Sequence, residues 1–194
     1  MSENLVTVKR ETKETQIEVT LGLSGKRECN IATGVGFFDH MLEALFFHGG
    51  FEATIKAKGD LHVEPHHLVE DTGIVIGEAL KLIFEKNKQI TRFASFTIPM
   101  DEALASAVVD YSGRAYLVYN ADYPQPKCGD FDLALVREFF YALAIHSNMS
   151  LHLNILYGEN SHHMVEALFK AAGKAVATSL TPQVGVVPST KGNL

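Results

Sequence analysis

His66-His67-Leu68-Val69-Glu70 and His162-His163-Met164-Val165-Glu166 are two copies of one pattern, H-H-apolar-Val-Glu. Each copy opens a long segment whose apolar residues recur at helical spacing, 66–84 in the first case and 161–180 in the second. On a helix, residues i and i+4 share a face, while i and i+1 diverge by about 100°. His66 and Glu70 can therefore address one ion while His67 addresses another, and His162, Glu166 and His163 repeat the arrangement. Imidazole and carboxylate together suit first-row transition metals. Two such helices facing each other are expected to form a site for more than one ion.

The repeat extends outward from these motifs. Strands are expected at about 4–10 and 14–23, where Thr15, Ile17, Val19 and Leu21 alternate with polar residues. A helix follows over 34–47, a strand over 51–57 and the first motif helix from His66. The second half reads as strands over 93–110 and 115–119, one on each side of a turn at 111–114, then a two-proline loop over 121–130. A helix over 133–145, a strand over 151–156 and the second motif helix complete it. His40 precedes His48 by eight residues, and Glu138 precedes His146 by eight. His40 lies 26 residues before His66, and Glu138 lies 24 before His162, so one two-residue gap aligns the halves. The fold class expected is α+β, an internal duplication with halves of about 1–92 and 93–194 packed as one domain. Equivalent positions 40 and 138 both carry ligand-type residues. The candidate ligands are therefore His40, His66, His67, Glu70, Glu138, His162, His163 and Glu166, enough for two ions with open positions left for water or substrate.

Bulk properties narrow the function. A hydrophobic content of 46% supports a full core, and a formal charge of −6 with no aromatic-basic patch speaks against nucleic acid as a partner. Cys29 and Cys128 form no disulfide framework. No apolar run reaches the ~20 residues of a membrane span. The polar start Met1-Ser2-Glu3-Asn4 lacks an apolar core, so no secretory signal and a cytoplasmic location are expected. An anion could be met by Arg92, Arg114, Lys170, Lys174 or Lys191, with the polar tail Pro188-Ser189-Thr190-Lys191-Gly192 able to close over a phosphate. His48 and His146 sit at expected helix ends, and His62 and His152 read as structural. A metallophosphatase would need a bridging carboxylate, typically aspartate, whereas the motifs offer only His and Glu. A metal-assembled storage protein would not need converging arginines.

Further segments sharpen this reading: Gly34-Val35-Gly36-Phe37-Phe38-Asp39-His40-Met41-Leu42, Pro99-Met100-Asp101-Glu102-Ala103-Leu104, Asp110-Tyr111-Ser112-Gly113-Arg114 and the Pro-Ser-Thr-Lys-Gly tail. With the two H-H-x-x-E segments, in this order, the chain resembles the imidazoleglycerol-phosphate dehydratases from Arg10 to Lys191. The resemblance implies two similar halves, each with helices on one face of a sheet (a ribosomal S5 domain 2-like unit). It implies a carbon–oxygen hydro-lyase of L-histidine biosynthesis that takes a phosphorylated imidazole substrate. It further implies two Mn²⁺ per active site, shared between subunits of a homo-oligomer of twenty-four chains built from trimers. The family's ligands match His40, His66, His67, Glu70, His162, His163 and Glu166. Position 138 is His in some members and Glu138 here. Substrate-contact positions match Glu14, His48, Arg92, Arg114, Lys170, Ser189 and Lys191. The expected catalytic groups are Glu14, Glu70 and His48. The proton to be lost has no carbonyl beside it, so a Mn-bound imidazolate and a diazafulvene-like intermediate are expected.

Overall fold

In a computed structural model, residues 5–86 and 89–183 are described. The first half comprises β1 (Val6–Glu11), β2 (Thr15–Gly22), β3 (Cys29–Ala32), α1 (Gly36–Gly49), β4 (Glu52–Gly59) and α2 (His66–Lys86). The second comprises β5 (Phe93–Met100), β6 (Ala103–Asp110), β7 (Tyr116–Asn120), the short pair β8 (Lys127–Cys128) and β9 (Phe131–Asp132), α3 (Ala134–Ser147), β10 (Ser150–Tyr157) and α4 (Ser161–Ser179). The sheets have orders β1-β2-β4-β3 and β5-β6-β10-β7. In each, the first three strands in that order are antiparallel and the last is parallel to its neighbour. The two halves are thus the same α+β unit, as the repeat requires.

Three local features went beyond the sequence reading. The strand β3 has only four residues, none of them buried, so it lacks the long apolar alternation that marks β2, yet it is the counterpart of β7. The stretch 93–110 breaks into a hairpin at Asp101, whose φ of 47° turns the chain in the left-handed region. Residues 127–132 form a two-stranded ribbon that begins within the expected loop and ends just past it.

Side-chain alternation explains the layering. In β2, Ile17, Val19 and Leu21 are buried while Gln16 is exposed; in β6, Ala103, Ala105, Ala107 and Val109 are buried. These inner faces receive α2 and α4. Helices then pair across the halves, α1 on α4 and α2 on α3. Each motif helix therefore has the other half's shorter helix as its main helical partner, rather than its own counterpart as expected. Phe38, Phe46, Phe139, Phe140 and Phe169 fill the helical layer, with Phe139 and Phe169 stacked at 5.5 Å.

Glycine sets the closeness of these crossings. A Cβ on Gly173 would lie 2.0 Å from the Leu45 carbonyl oxygen, and one on Gly77 would lie 2.8 Å from that of Leu143. The two contacts occupy equivalent places in the halves, so the α1–α4 and α2–α3 crossings are built alike. Both α1 and α3 end in a left-handed residue, Gly50 at φ 77° and Asn148 at φ 58°.

Candidate active site

The crossing of α1 on α4 brings His40 to the second motif. Glu166 Oε2 lies 3.1 Å from His40 Nε2 and 3.2 Å from His162 Nε2, and Glu166 Oε1 lies 2.7 Å from Lys170 Nζ. Glu166 is buried, which opposes its charged form, yet Lys170 and then His40 outweigh that and hold its carboxyl below the usual range. Metal bonds of roughly 2.2 Å at right angles place neighbouring ligand atoms about 3.1 Å apart. The spacing around Glu166 Oε2 matches, so the donor set fits a metal ion. Among the described residues this is the one group of three ligand atoms lying within 4.8 Å of one another.

The first motif is arranged more loosely. His66 Nε2 and Glu70 Oε2 are 3.8 Å apart. Glu138 holds the position in α3 that His40 holds in α1, and its Oε1 lies 3.1 Å from Arg137 Nη1. The eight candidate ligands thus do not converge within one chain.

His67 and His163 point elsewhere, as adjacent helical residues must. His163 Nδ1 lies 2.8 Å from Glu102 Oε2, and His67 Nδ1 lies 3.0 Å from Asp60 Oδ2 and 3.8 Å from Glu14 Oε2. Both imidazoles are drawn to higher pKa by these carboxylates, His67 first by Asp60 and His163 first by Glu102. Glu102 is held down at about 2 by His163 and by the Asn160 and Glu159 N–H groups it accepts from. Asp60 and Glu102 were not assigned roles from sequence. Glu102 stands within the segment Pro99-Met100-Asp101-Glu102-Ala103-Leu104, but nothing local shows that it reaches His163, 61 residues away.

A cleft of about 280 Å³ is lined by His40, Glu43, Ala44, Phe47, His48, Glu166 and Lys170. It unites four metal-competent or proton-competent groups, His40, Glu43, His48 and Glu166, with one cation, Lys170. Partial desolvation first, then Lys170, Lys174 and Arg27, lower the pKa of His48.

The arginines lie elsewhere. Arg92 N donates to Ser179 O, at the end of α4. The 17 residues from His162 to Ser179, at roughly 1.5 Å each, separate the two by about 25 Å. Arg114 is at the same far end, its carbonyl accepting from Ser150, which pairs with Asp110. Arg92 Nε donates to Asp110 at 2.7 Å, and its guanidinium lies over Phe93. Convergence of Arg92 and Arg114 on the metal ligands is therefore absent within one chain. Ser189 and Lys191 lie outside the described residues.

Two copies of one α+β unit that meet in a His/Glu cluster of metal-ligand spacing, beside a cleft that holds Lys170, define a metal-competent site. Comparison with known proteins narrows the reading. A model of the imidazoleglycerol-phosphate dehydratase family matches residues 33–176. The Pelobacter propionicus enzyme of that name is 52% identical over 190 residues, covering 97% of each chain. That of Limosilactobacillus fermentum is 52% identical over 188 residues, 96% of this chain and 97% of that one. The Staphylococcus aureus dehydratase structure superposes with a TM-score of 0.84 at 40% identity, covering 92% of this chain and 99% of that chain. That of Pyrococcus furiosus, in complex with (S)-C348, gives 0.85 at 39% identity, covering 96% and 100%. The chain belongs to the imidazoleglycerol-phosphate dehydratase family.

Proposed function

We propose that the whole chain, 1–194, is one dehydratase unit. It removes water from imidazole glycerol phosphate to give imidazole acetol phosphate in L-histidine biosynthesis, in the cytoplasm. The observation that carries this reading is the cleft in which His40, His48, Glu166 and Lys170 meet. Nothing in it suits a membrane partner, and no described helix is long and apolar enough to cross one.

Two Mn²⁺ would be held by His40, His162 and Glu166, and by His66, Glu70 and Glu138, with His67 and His163 offered outward to the ions of neighbouring chains. Bound metal makes deprotonation of the substrate's imidazole accessible near neutral pH, as it does for bound water. The rest falls to side chains. His48, on the exposed lip of the cleft, hydrogen-bonds the departing hydroxyl and, in its protonated form, gives it a proton. One of Glu14 and Glu70 takes the ring proton, and loss of the hydroxyl as water leaves a diazafulvene-like species; the other carboxylate takes the neighbouring C–H proton as the ring regains its own, giving an enol that becomes the ketone. Arg92, Arg114, Lys170, Ser189 and Lys191 bind the phosphate and so fix the ring remote from it.

The ~25 Å between Arg92 and His162 along α4 supports sites completed by a second chain, in keeping with a homo-oligomer, twenty-four chains built from trimers. Stripping with a strong chelator should abolish formation of the ketone, and Mn²⁺ should restore it; full activity in the metal-free protein would refute the reading. Arg92→Ala and His162→Ala chains, each inactive alone, should regain activity when co-assembled, and no recovery would argue for sites within single chains.

A further inference from the structure

Asp71 is a buried carboxylate with no part in the mechanism above. It follows Glu70 directly on α2 and is 8% exposed. Its Oδ2 accepts from Thr15 Oγ1 at 2.5 Å, and its Oδ1 accepts from Arg10 Nε at 2.9 Å. Thr15 closes the turn that carries Glu14. Thr12 N donates to Thr15 O at 2.9 Å, and Thr12 Oγ1 accepts from Glu14 N at 3.1 Å and Thr15 N at 2.9 Å. The turn is therefore rigid in itself and joined to α2 through Asp71, one helical turn beyond His67.

The duplication provides a control within the molecule. Thr15 opens β2 and Ala103 opens β6; Arg10 pairs with Ile17 as Ile98 pairs with Ala105; Ala167 follows Glu166 as Asp71 follows Glu70. Arg10, Thr15 and Asp71 thus correspond to Ile98, Ala103 and Ala167. One copy builds this junction from a charge pair and a hydroxyl, and the other builds it from apolar side chains. An apolar junction satisfies the fold, so folding alone gives no reason to bury the charges. The equivalent turns also differ in duty. Glu14 reaches toward His67 at 3.8 Å without a hydrogen bond of its own to it, whereas Glu102 is bonded to His163 at 2.8 Å and accepts from the Glu159 and Asn160 N–H groups just before α4. Glu102 is held by its own bonds, and Glu14 depends on the turn beneath it.

We propose that Asp71, with Thr15 and Arg10, is a positioning strut that fixes Glu14 relative to His67 and Glu70, so that a proton-transferring carboxylate and the metal ligands keep one geometry. This rests on the dehydratase reading. A polar strut specifies direction, because its two carboxylate oxygens each take one donor, whereas apolar contact leaves the turn free to slide.

The test is a pair of mild variants. Thr15→Val removes the donor with almost no change of shape, and Thr15→Ser restores it. Thr15→Val should lower kcat about tenfold to a hundredfold, the cost of misplacing a catalytic group by about 1 Å, while KM and bound manganese stay at parental values. Thr15→Ser should recover most of kcat. The triple variant Arg10→Ile, Thr15→Ala, Asp71→Ala copies the second half's junction and should show the same kcat loss with parental thermal stability. Parental kcat in Thr15→Val or in the triple variant would overturn the strut, as would a loss confined to KM or manganese content. Failure of the parental enzyme to dehydrate the substrate would instead overturn the functional reading.

Discussion

Replacing Gly173 by alanine perturbs the crossing that assembles the metal-competent cluster. The new Cβ would meet the Leu45 carbonyl oxygen at 2.0 Å and its carbon at 2.8 Å, where ordinary contact begins near 3.4 Å. The obstacle is backbone, so no rotamer change relieves it, and α1 must retreat by about 1.4 Å at that point. His40 stands five residues before Leu45, and Glu166 seven before Gly173. As rigid helices separate, the 3.1 Å between His40 Nε2 and Glu166 Oε2 opens well past the spacing that one ion can span. Overpacking at the upper end costs about 3 kcal/mol, and alanine's better helix propensity returns about 1 kcal/mol. The net loss of about 2 kcal/mol lowers Tm by roughly 4–8 °C in a chain of this size. Manganese affinity should fall by roughly ten- to a hundredfold, as when a supporting contact of a ligand is removed. Thermal unfolding at fixed protein concentration and calorimetric titration with Mn²⁺ measure both effects. A Tm equal to or above the parent's, with unchanged affinity, would refute the reasoning, since that is what helix propensity alone dictates.

Two further outcomes are expected. Glu14→Gln should cut turnover by about 10²–10⁴-fold with manganese content unchanged, the size of a lost general acid or base; metal loss measured in that variant would mean that Glu14 is a ligand. Glu102 titrates at about 2 in the folded chain against an ordinary 4.5, so its stabilisation is complete above pH 4.5 and is lost as pH falls toward 2. The stability gap between the parent and Glu102→Gln, followed by denaturant unfolding, should therefore shrink across that window, and a gap that is constant or grows in acid would contradict the assignment.

Much of this molecule is visible in one dimension. The i,i+4 spacing of His66 with Glu70 and of His162 with Glu166 follows from helix geometry, which any sequence with that period must obey. The alternation through Ile17, Val19 and Leu21 marks β2 for the same reason. The duplication, the candidate ligands and the resemblance all rest on such local order. The strand β3 escaped because four residues, none of them buried, are too few to show a period; it exists because β4 offers it an edge.

What the tertiary structure decided is which periodic faces meet. His40 joins Glu166 across 126 residues because Gly173 lets α1 and α4 approach to backbone contact. Asp71 meets Thr15 across 56 residues because α2 packs on β2, and nothing local to either segment shows that the two meet. The same packing carries Arg92 to the far end of α4 from His162, and so separates two groups that the sequence reading had expected to converge. Local period is a property of the backbone and is written in every few residues. Pairing between distant segments depends on how closely whole helices and sheets can approach, which no short stretch of chain encodes.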